Sequence, residues 1–256
     1  MKTLSCAIIG AASIVASSEA GFRGFVAYAK QSGAYTFVDL FCAVDNASDK
    51  FLNIYNTASN GSFFQATGLA NKTWKPDAAN FNSTRDSIDS FMTAGTYSGA
   101  AYGGAYYASG NSNADPNFTG TSWNATPASA AAATIPALAG WYTGDPTSVD
   151  NKAIALATIA TDFGGTRVNS GATASGNGGS ATVGSANSLY GIWCSHLCFA
   201  NTTVSAAMAG LQWDACASIK DGANGSTSQG HSWNLPAPSA LALLTLSGVP
   251  ARRRRA

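Results

Sequence analysis

Two histidines, His196 and His231, carry the only imidazoles of this 256-residue sequence that could serve in general acid–base chemistry. A Ser-His-Asp catalytic set needs an imidazole within hydrogen-bonding distance of the serine, and many hydrolases expose that serine in a Gly-x-Ser-x-Gly turn. The chain contains no such turn sequence, and His231 lies in a polar stretch near the C-terminus. Because His196 is flanked by two cysteines, we expect it to have a structural role rather than a catalytic one.

Carboxylates are the second group that could do chemistry. Hydrolysis of a glycosidic bond needs two of them at a defined separation. From residue 21 onward the chain has no Glu, so any such pair must consist of Asp residues. Asp39, inside an apolar segment, is the best candidate for a functional carboxylate, and Asp86 with Asp89 is the next. We favour ordinary roles for all three, at a sheet edge, a helix start or a turn.

Four cysteines follow the first 20 residues. They are Cys42, Cys194, Cys198 and Cys216. An even number of cysteines in an exported chain favours two disulfides, whose pairing the sequence leaves open. If Cys194 and Cys198 share one extended strand, a separation of roughly 13 Å prevents a bond between them, and each would bond with one of the other two cysteines. A zinc site that also uses the two histidines is a weaker alternative, because the spacing matches no standard site.

A polar loop offers an alternative to zinc, because its oxygen atoms could bind a calcium ion. Its candidate calcium ligands are Asp45, Asn46, Ser48 and Asp49. Their spacing departs from the Asp-x-Asp-x-Asp-Gly calcium loop and lacks its closing Glu, so turn formation explains these residues equally well. We otherwise expect no cofactor and no metal.

Six tryptophans raise the question of a carbohydrate site. They are Trp74, Trp123, Trp141, Trp193, Trp213 and Trp233. Aromatic rings stack on sugar rings, and the abundant Asn and Thr side chains can bond with sugar hydroxyls. The alternative, which we favour, is that these tryptophans are anchors of a hydrophobic core and its loops.

The strongest element that could position these groups is a strand from Tyr35 to Val44. It is rich in β-branched and aromatic residues, and both of its alternating faces are largely apolar. We therefore expect a central strand that is covered on both sides. Further strands are predicted at 25–29, 51–55, 62–66, 138–142, 153–161, 189–199 and 204–213, with a short helix or strand at 86–92. At 153–161 a helix is the alternative to the strand that the alternation favours.

Long segments rich in Gly, Ser and Ala separate these strands, at 95–133 and 164–186, and we expect loops there, the first anchored by Trp123. Charged residues make up only 11% of the chain, and no amphipathic helices alternate with the strands, which argues against helical bundles and parallel α/β folds. The pattern predicts an all-β fold, an antiparallel β-sandwich of jelly-roll or immunoglobulin-like type with long Gly/Ser/Ala-rich loops.

Both ends of the chain are predicted to direct its transport. Met1-Lys2, the apolar segment Leu4 to Val15 and Ser18-Glu19-Ala20 form a signal peptide, with cleavage after Ala20. At the other end, a Pro-rich segment, a short apolar run and four arginines are the parts of a membrane-retention signal. Without these ends the chain has nine basic and twelve acidic residues. It therefore has no basic patch for a phosphate backbone, and we expect no nucleic-acid partner.

The tail resembles the PEP-CTERM class of bacterial sorting signals. Residues 236–244 follow its Pro-Glu-Pro-Ser-x-Leu-Ala-Leu-Leu pattern, with Ala237 in place of the Glu. The residues that carry the resemblance are Pro236, Ala237, Pro238, Arg252, Arg253, Arg254 and Arg255. As a helix, 237–251 would span about 22 Å of the roughly 30 Å of hydrocarbon in a bilayer, which suits a transient anchor.

This resemblance implies an exported protein of Gram-negative type. Such a protein is held transiently at the inner membrane, is processed by an exosortase-like enzyme, and is associated with polysaccharide at the cell surface or outside the cell. We therefore expect a signal peptide at 1–20, a β-sandwich domain at 21–220, a polar linker at 221–234 and a sorting signal at 235–256.

The expected function is that of an exported protein of the cell surface or extracellular matrix without catalytic activity. A carbohydrate-binding β-sandwich module is the first alternative. A secreted hydrolase with an Asp-based site is the second.

Overall fold

The computed structural model describes most of the chain between residues 21 and 232. The described residues are 21–66, 74–75, 88–98, 106–108, 112–118, 123, 131–149, 151–169, 171–175, 180–182, 188–222 and 227–232. The predicted signal peptide and sorting signal lie outside them, as do Asp86 and Trp233.

Within these residues the chain forms seventeen strands and two short helices. In order they are β1 (Gly24–Ser32), β2 (Tyr35–Val44), β3 (Lys50–Ser59), β4 (Phe63–Gln65), β5 (Phe91–Met92), β6 (Thr96–Ser98), β7 (Tyr106–Ala108), β8 (Ser112–Ala114), β9 (Ala131–Ala133), β10 (Ala139–Thr143), β11 (Ile154–Ala155), α1 (Leu156–Asp162), β12 (Thr166–Asn169), β13 (Gly171–Ser175), β14 (Ser180–Thr182), β15 (Tyr190–Ala200), α2 (Val204–Gly210), β16 (Trp213–Lys220) and β17 (Thr227–Ser232). Neither helix of this described part is long and apolar enough to cross a membrane.

Two large antiparallel sheets contain most of the described strands. The first sheet has the order β11-β15-β2-β1-β12, with β5 also paired to β15. The second sheet has the order β14-β13-β17-β16-β3-β10-β8. Two further pairs, β4 with β9 and β6 with β7, lie outside these sheets.

The two large sheets pack against each other around one hydrophobic core, which confirms the predicted antiparallel sandwich. Alternate residues of each strand point inward, such as Val38 and Leu40 from β2 in the first sheet. The second sheet contributes Trp141 and Trp213, whose rings meet edge to face with centroids 6.1 Å apart. Fully buried tryptophans provide the largest apolar areas of such a core.

Strand β2 occupies the central position predicted for it. It lies between β1 and β15, and no residue from Thr36 to Val44 is more than 4% exposed. Its outward-facing Phe41 joins a second apolar cluster with Leu156 and Ile159 of α1. A Cβ atom at Gly191 would lie 2.8 Å from Ile159 Cδ1, so this glycine allows α1 to pack closely on the sheet.

Two predicted strands contain helices instead. In the segment 153–161 only Ile154 and Ala155 are in a strand, and α1 follows at once. In the segment 204–213 the chain forms α2, and the strand β16 begins only at Trp213. Thr203 caps α2 by accepting a hydrogen bond from Ala206 N at 3.2 Å.

The boundaries of the loops and of the linker also differ from the prediction. Strands β6 to β9 lie within the segment 95–133, and β12 to β14 lie within 164–186, so neither segment is only a loop. Strand β17 lies within the predicted linker 221–234 and pairs with β16 and β13. The second sheet therefore continues beyond residue 220.

Candidate functional site

Asp39 and His196 are brought together on the outer face of the first sheet. They are direct cross-strand partners on β2 and β15. The register of these strands shifts between Trp193 and Ser195, so that Cys194 is an extra residue. Without this bulge a strict two-residue alternation would turn the His196 side chain to the opposite face from Asp39. The bulge therefore creates the pair.

The Asp39–His196 pair is short and closed to solvent. The distance from His196 Nδ1 to Asp39 Oδ1 is 2.6 Å, and the two side chains are 8% and 3% exposed. The rings of Phe37 and Phe91 stack on the imidazole, with centroid distances of 5.5 and 5.2 Å. Trp193 contacts it edge-on at 6.2 Å. The surrounding rings and the carboxylate thus fix the orientation of the imidazole.

An Asp–His pair can orient a general base, but catalysis also requires a nucleophile that the base can activate. Cys198 is two residues beyond His196 on the same strand and face. Burial, and then the nearby Asp89 carboxylate, raise the pKa of the Cys198 thiol to about 12. A cysteine nucleophile needs a lowered pKa, so Cys198 is poorly suited to this role. Asp89 itself is engaged by the backbone N–H groups of Ala66 and Ser90 at 2.9 Å each.

All four cysteines are free. Cys42 and Cys194 lie in the core between the sheets, where the Cys194 thiol donates a hydrogen bond to Leu40 O at 3.2 Å. Burial, and then the neighbouring Cys42 thiol, raise the pKa of Cys194 well above its ordinary value. Cys216 lies in the second sheet and contacts Tyr55. No pair is at disulfide distance, so the structure does not support the predicted disulfides.

The prediction that Cys194 and Cys198 lie on one strand is confirmed, because both belong to β15. The zinc alternative has no counterpart among the described side chains, where no three His, Cys, Asp or Glu residues are arranged to hold a metal ion. The side chain of His231 is outside that description.

The candidate calcium loop is held by hydrogen bonds within the loop and by contacts with residues outside it. Asp45 receives a two-pronged ion pair from Arg23, with distances of 2.8 and 2.6 Å. Asp49 accepts hydrogen bonds from the backbone N–H groups of Asn46 at 3.1 Å and of Gly222 at 3.2 Å. Burial is the main cause of a raised pKa at Asp49. These contacts explain the loop as the turn between β2 and β3, which is tied through Asp49 to the chain just after β16.

The tryptophans are core residues wherever the structure describes them. The five described ones, Trp74, Trp123, Trp141, Trp193 and Trp213, are at most 5% exposed. Backbone N–H groups of residues 74 and 75 donate to the carbonyl of Trp123 at 3.3 and 3.2 Å, which confirms that Trp123 anchors its segment. These rings are not accessible for stacking on a sugar, so a site built on them is not supported.

An exposed aromatic residue that sequence reasoning missed lies on the outer face of the second sheet. Tyr142 of β10 is 43% exposed, whereas its neighbour Trp141 is fully buried. Tyr142 is paired with Asn113 of β8 on one side and with Asn53 of β3 on the other. The alternation in Ala139–Thr143 is the signal that could have identified it, because a buried Trp on a strand requires its neighbours to face outward.

Comparisons of the chain with models of known protein families, with curated protein sequences and with solved structures find no match.

Proposed function

We propose that this chain is an exported protein of the cell surface or extracellular matrix, that it acts without catalysis, and that a PEP-CTERM-like tail sorts it. The signal-peptide pattern of residues 1–20 and the Pro-rich, apolar and Arg-rich parts of residues 235–256 support export and sorting. In this proposal the processing partner is an exosortase-like enzyme, and the membrane anchor is transient.

One structural observation favours a non-catalytic role. The described imidazole, His196, is held between Asp39 and the rings of Phe37, Phe91 and Trp193, and its side chain is only 8% exposed. A general base must come within hydrogen-bonding distance of the group that it activates. The Asp39 and Asp89 carboxylates are each only 2% exposed, which also disfavours an Asp-based hydrolase.

Localisation tests the sorting proposal. A tagged full-length chain would be expressed in a bacterium that has an exosortase, and in the same strain without that enzyme. We expect accumulation in the inner-membrane fraction only when the enzyme is absent. Replacement of Arg252 to Arg255 by Ala should abolish this retention, whereas replacement by Lys should preserve it, because the positive charge is kept. An identical distribution for all variants in both strains would refute the sorting proposal.

Turnover assays test the proposed lack of catalysis. The purified protein would be assayed with glycoside, ester and peptide substrates, in parallel with the Asp39→Asn variant. We expect no turnover above that of the variant. Turnover that disappears in Asp39→Asn while the circular dichroism spectrum is retained would instead support the hydrolase alternative.

A further inference from the structure

The outer face around Tyr142 combines groups that suit a sugar. Strands β8, β10 and β3 are adjacent, and the cross-strand row Asn113–Tyr142–Asn53 places an aromatic ring between two amides. Asp115 N donates to Gly140 O at 2.9 Å, so Asp115 lies beside Gly140, two residues before Tyr142. We call these residues, Asn53, Asn113, Asp115 and Tyr142, the Tyr142 face.

Tyr142 is a rigid platform on this face. Its strand β10 is paired on both sides, with β3 and with the edge strand β8. Its neighbour Trp141 anchors the strand in the core by donating from Nε1 to Thr93 O at 3.1 Å. Because the backbone at Tyr142 is already fixed, only the side chain has conformational entropy to lose when a ligand stacks on its exposed ring.

The Asp115 carboxylate is held in place before any ligand arrives. Its Oδ1 accepts hydrogen bonds from the backbone N–H groups of Asn117 at 3.0 Å and Phe118 at 3.1 Å. Its Oδ2 lies only 2.6 Å from the place where a Cβ atom of Gly140 would be. The absence of a side chain at Gly140 therefore allows the carboxylate to lie on the sheet, where Oδ2 is a fixed acceptor for a hydroxyl group.

A second acceptor on the face lacks a donor. Asn53 Oδ1, next to Tyr142, is buried and has no hydrogen-bond partner among the described residues. A buried polar atom without a partner is unfavourable. Because Asn53 as a whole is only half-buried, rotation of its amide would bring this oxygen to the surface, where a ligand hydroxyl would supply the missing donor.

These features select one class of ligand. The carboxylate of Asp115 would repel an acidic polymer, and the one cation on the three strands, Lys50, donates to Asn151 O at 2.8 Å. The exposed ring favours a partner with an apolar face, and the acceptors require a partner rich in hydroxyl donors. We propose that the Tyr142 face binds a neutral polysaccharide, with one sugar ring stacked on Tyr142 and its hydroxyls bonded to Asp115 and Asn53. This proposal deepens the proposed surface function and gives it a ligand.

Affinity electrophoresis of the full chain through gels that contain a neutral glucan, mannan or galactan tests the proposal. We expect at least one of these polymers to retard the protein, and we expect Tyr142→Ala to weaken that binding about tenfold or more, as loss of an aromatic anchor does. Tyr142→Phe should retain most of the binding because the ring remains. Val149→Ala is the matched control, since Val149 is 73% exposed but lies outside the face.

The Asp115→Asn variant tests the role of the carboxylate in binding separately from its role in the turn. An Asn side chain can still cap the turn through its oxygen, so the fold should persist while binding weakens several-fold. Three results would overturn the proposal. They are retardation by none of the three neutral polymers, retardation only by an acidic polymer, and undiminished binding by the Tyr142→Ala variant. Self-association that disappears in Tyr142→Ala would also overturn it, because the face would then bind a second copy of the chain. None of these results depends on localisation, so the sorting proposal stands or fails separately.

Discussion

Removal of the His196 imidazole is the sharpest test of the described structure. In the His196→Ala variant, Asp39 would stay buried at 2% exposure on a central strand, with its 2.6 Å partner missing. Removal of one partner from a buried hydrogen-bonded pair typically costs about 3–5 kcal/mol, because the remaining polar group has lost its contact with water and gained nothing in return. The free energy of unfolding should fall by this amount.

The loss should be large enough to measure by two methods. For a domain of this size each kcal/mol lowers the melting temperature by about 2–4 °C, so a decrease of roughly 6–20 °C is expected. Urea titration followed by tryptophan fluorescence gives the free energy directly. The signal is well placed, since the Trp193 ring lies 6.2 Å from the imidazole.

A double-mutant cycle separates the interaction energy of the Asp39–His196 pair from the packing of each side chain. Asp39→Asn retains an oxygen that can accept from Nδ1 but removes the negative charge, and should cost about 1–2 kcal/mol. In that background His196→Ala should be less harmful by about 1–3 kcal/mol, because no buried carboxylate is left behind. A cost below about 1 kcal/mol for His196→Ala, or an additive cycle, would show that the pair is hydrated in solution and would refute the reasoning.

Three further predictions concern other parts of the sandwich. Asn151 is fully buried, and its side chain accepts a hydrogen bond from Phe51 N at 2.8 Å and donates one to Phe51 O at 2.7 Å. Asn151→Ala should therefore lower the free energy of unfolding by about 2–5 kcal/mol in urea titrations. A loss below about 0.5 kcal/mol would contradict these hydrogen bonds. The pKa of Cys198 is about 12 in the folded chain, above its ordinary value of 9.0. As the pH rises, the thiol therefore loses its proton in the unfolded chain before it does so in the folded chain. The free energy of unfolding should fall by about 1.4 kcal/mol per pH unit from pH 9 upward. Cys198→Ala should remove that part of the slope in alkaline urea titrations, and an unchanged slope would count against a buried thiol. Alkylation of the unfolded protein without reductant should label all of Cys42, Cys194, Cys198 and Cys216, whereas unlabelled cysteines that become reactive after reduction would restore the disulfide prediction.

The central strand was predictable because its own sequence pattern indicates that both of its faces are buried. The run from Tyr35 to Val44 is apolar on both alternating faces, and only a strand with neighbours on both edges and layers on both faces buries such a pattern. The same logic correctly placed β15 and the tryptophan core. Local composition and burial agree at these positions, so a single sequence is enough to identify them.

Helix α1 was missed because its sequence carries no local start signal. Ala155 precedes it without a side-chain cap, and its Thr and Ile residues are also common in strands. The helix is selected by tertiary packing, through the burial of Leu156 and Ile159 against the first sheet near Gly191. Helix α2 is different, because its cap at Thr203 was present in the sequence and was not recognised.

The Asp39–His196 pair shows a limit of reasoning from alternation. Asp39 was identified as the outstanding carboxylate and His196 as a structural residue, but nothing in the sequence joined them. The contact depends on the extra residue at Cys194, since it shifts the face of every later side chain in β15. The bulge is set by the register between two strands that are about 150 residues apart in sequence, so no local sequence pattern predicts it.

Among the described residues, the two sheets differ in how much of their outer faces they leave exposed to solvent. The first sheet is covered on its inner face by the second sheet and on its outer face by the cluster around Phe41 and α1. The second sheet shares the inner core, but its described outer face carries Tyr142 at 43% exposure and the fixed Asp115 carboxylate. In the function proposed above, binding of a polysaccharide needs recognition groups that keep their geometry without a catalytic cleft. A sheet face whose strand β10 is anchored in the core by the buried Trp141 satisfies that requirement, whereas the buried first sheet provides stability that holds the face in shape.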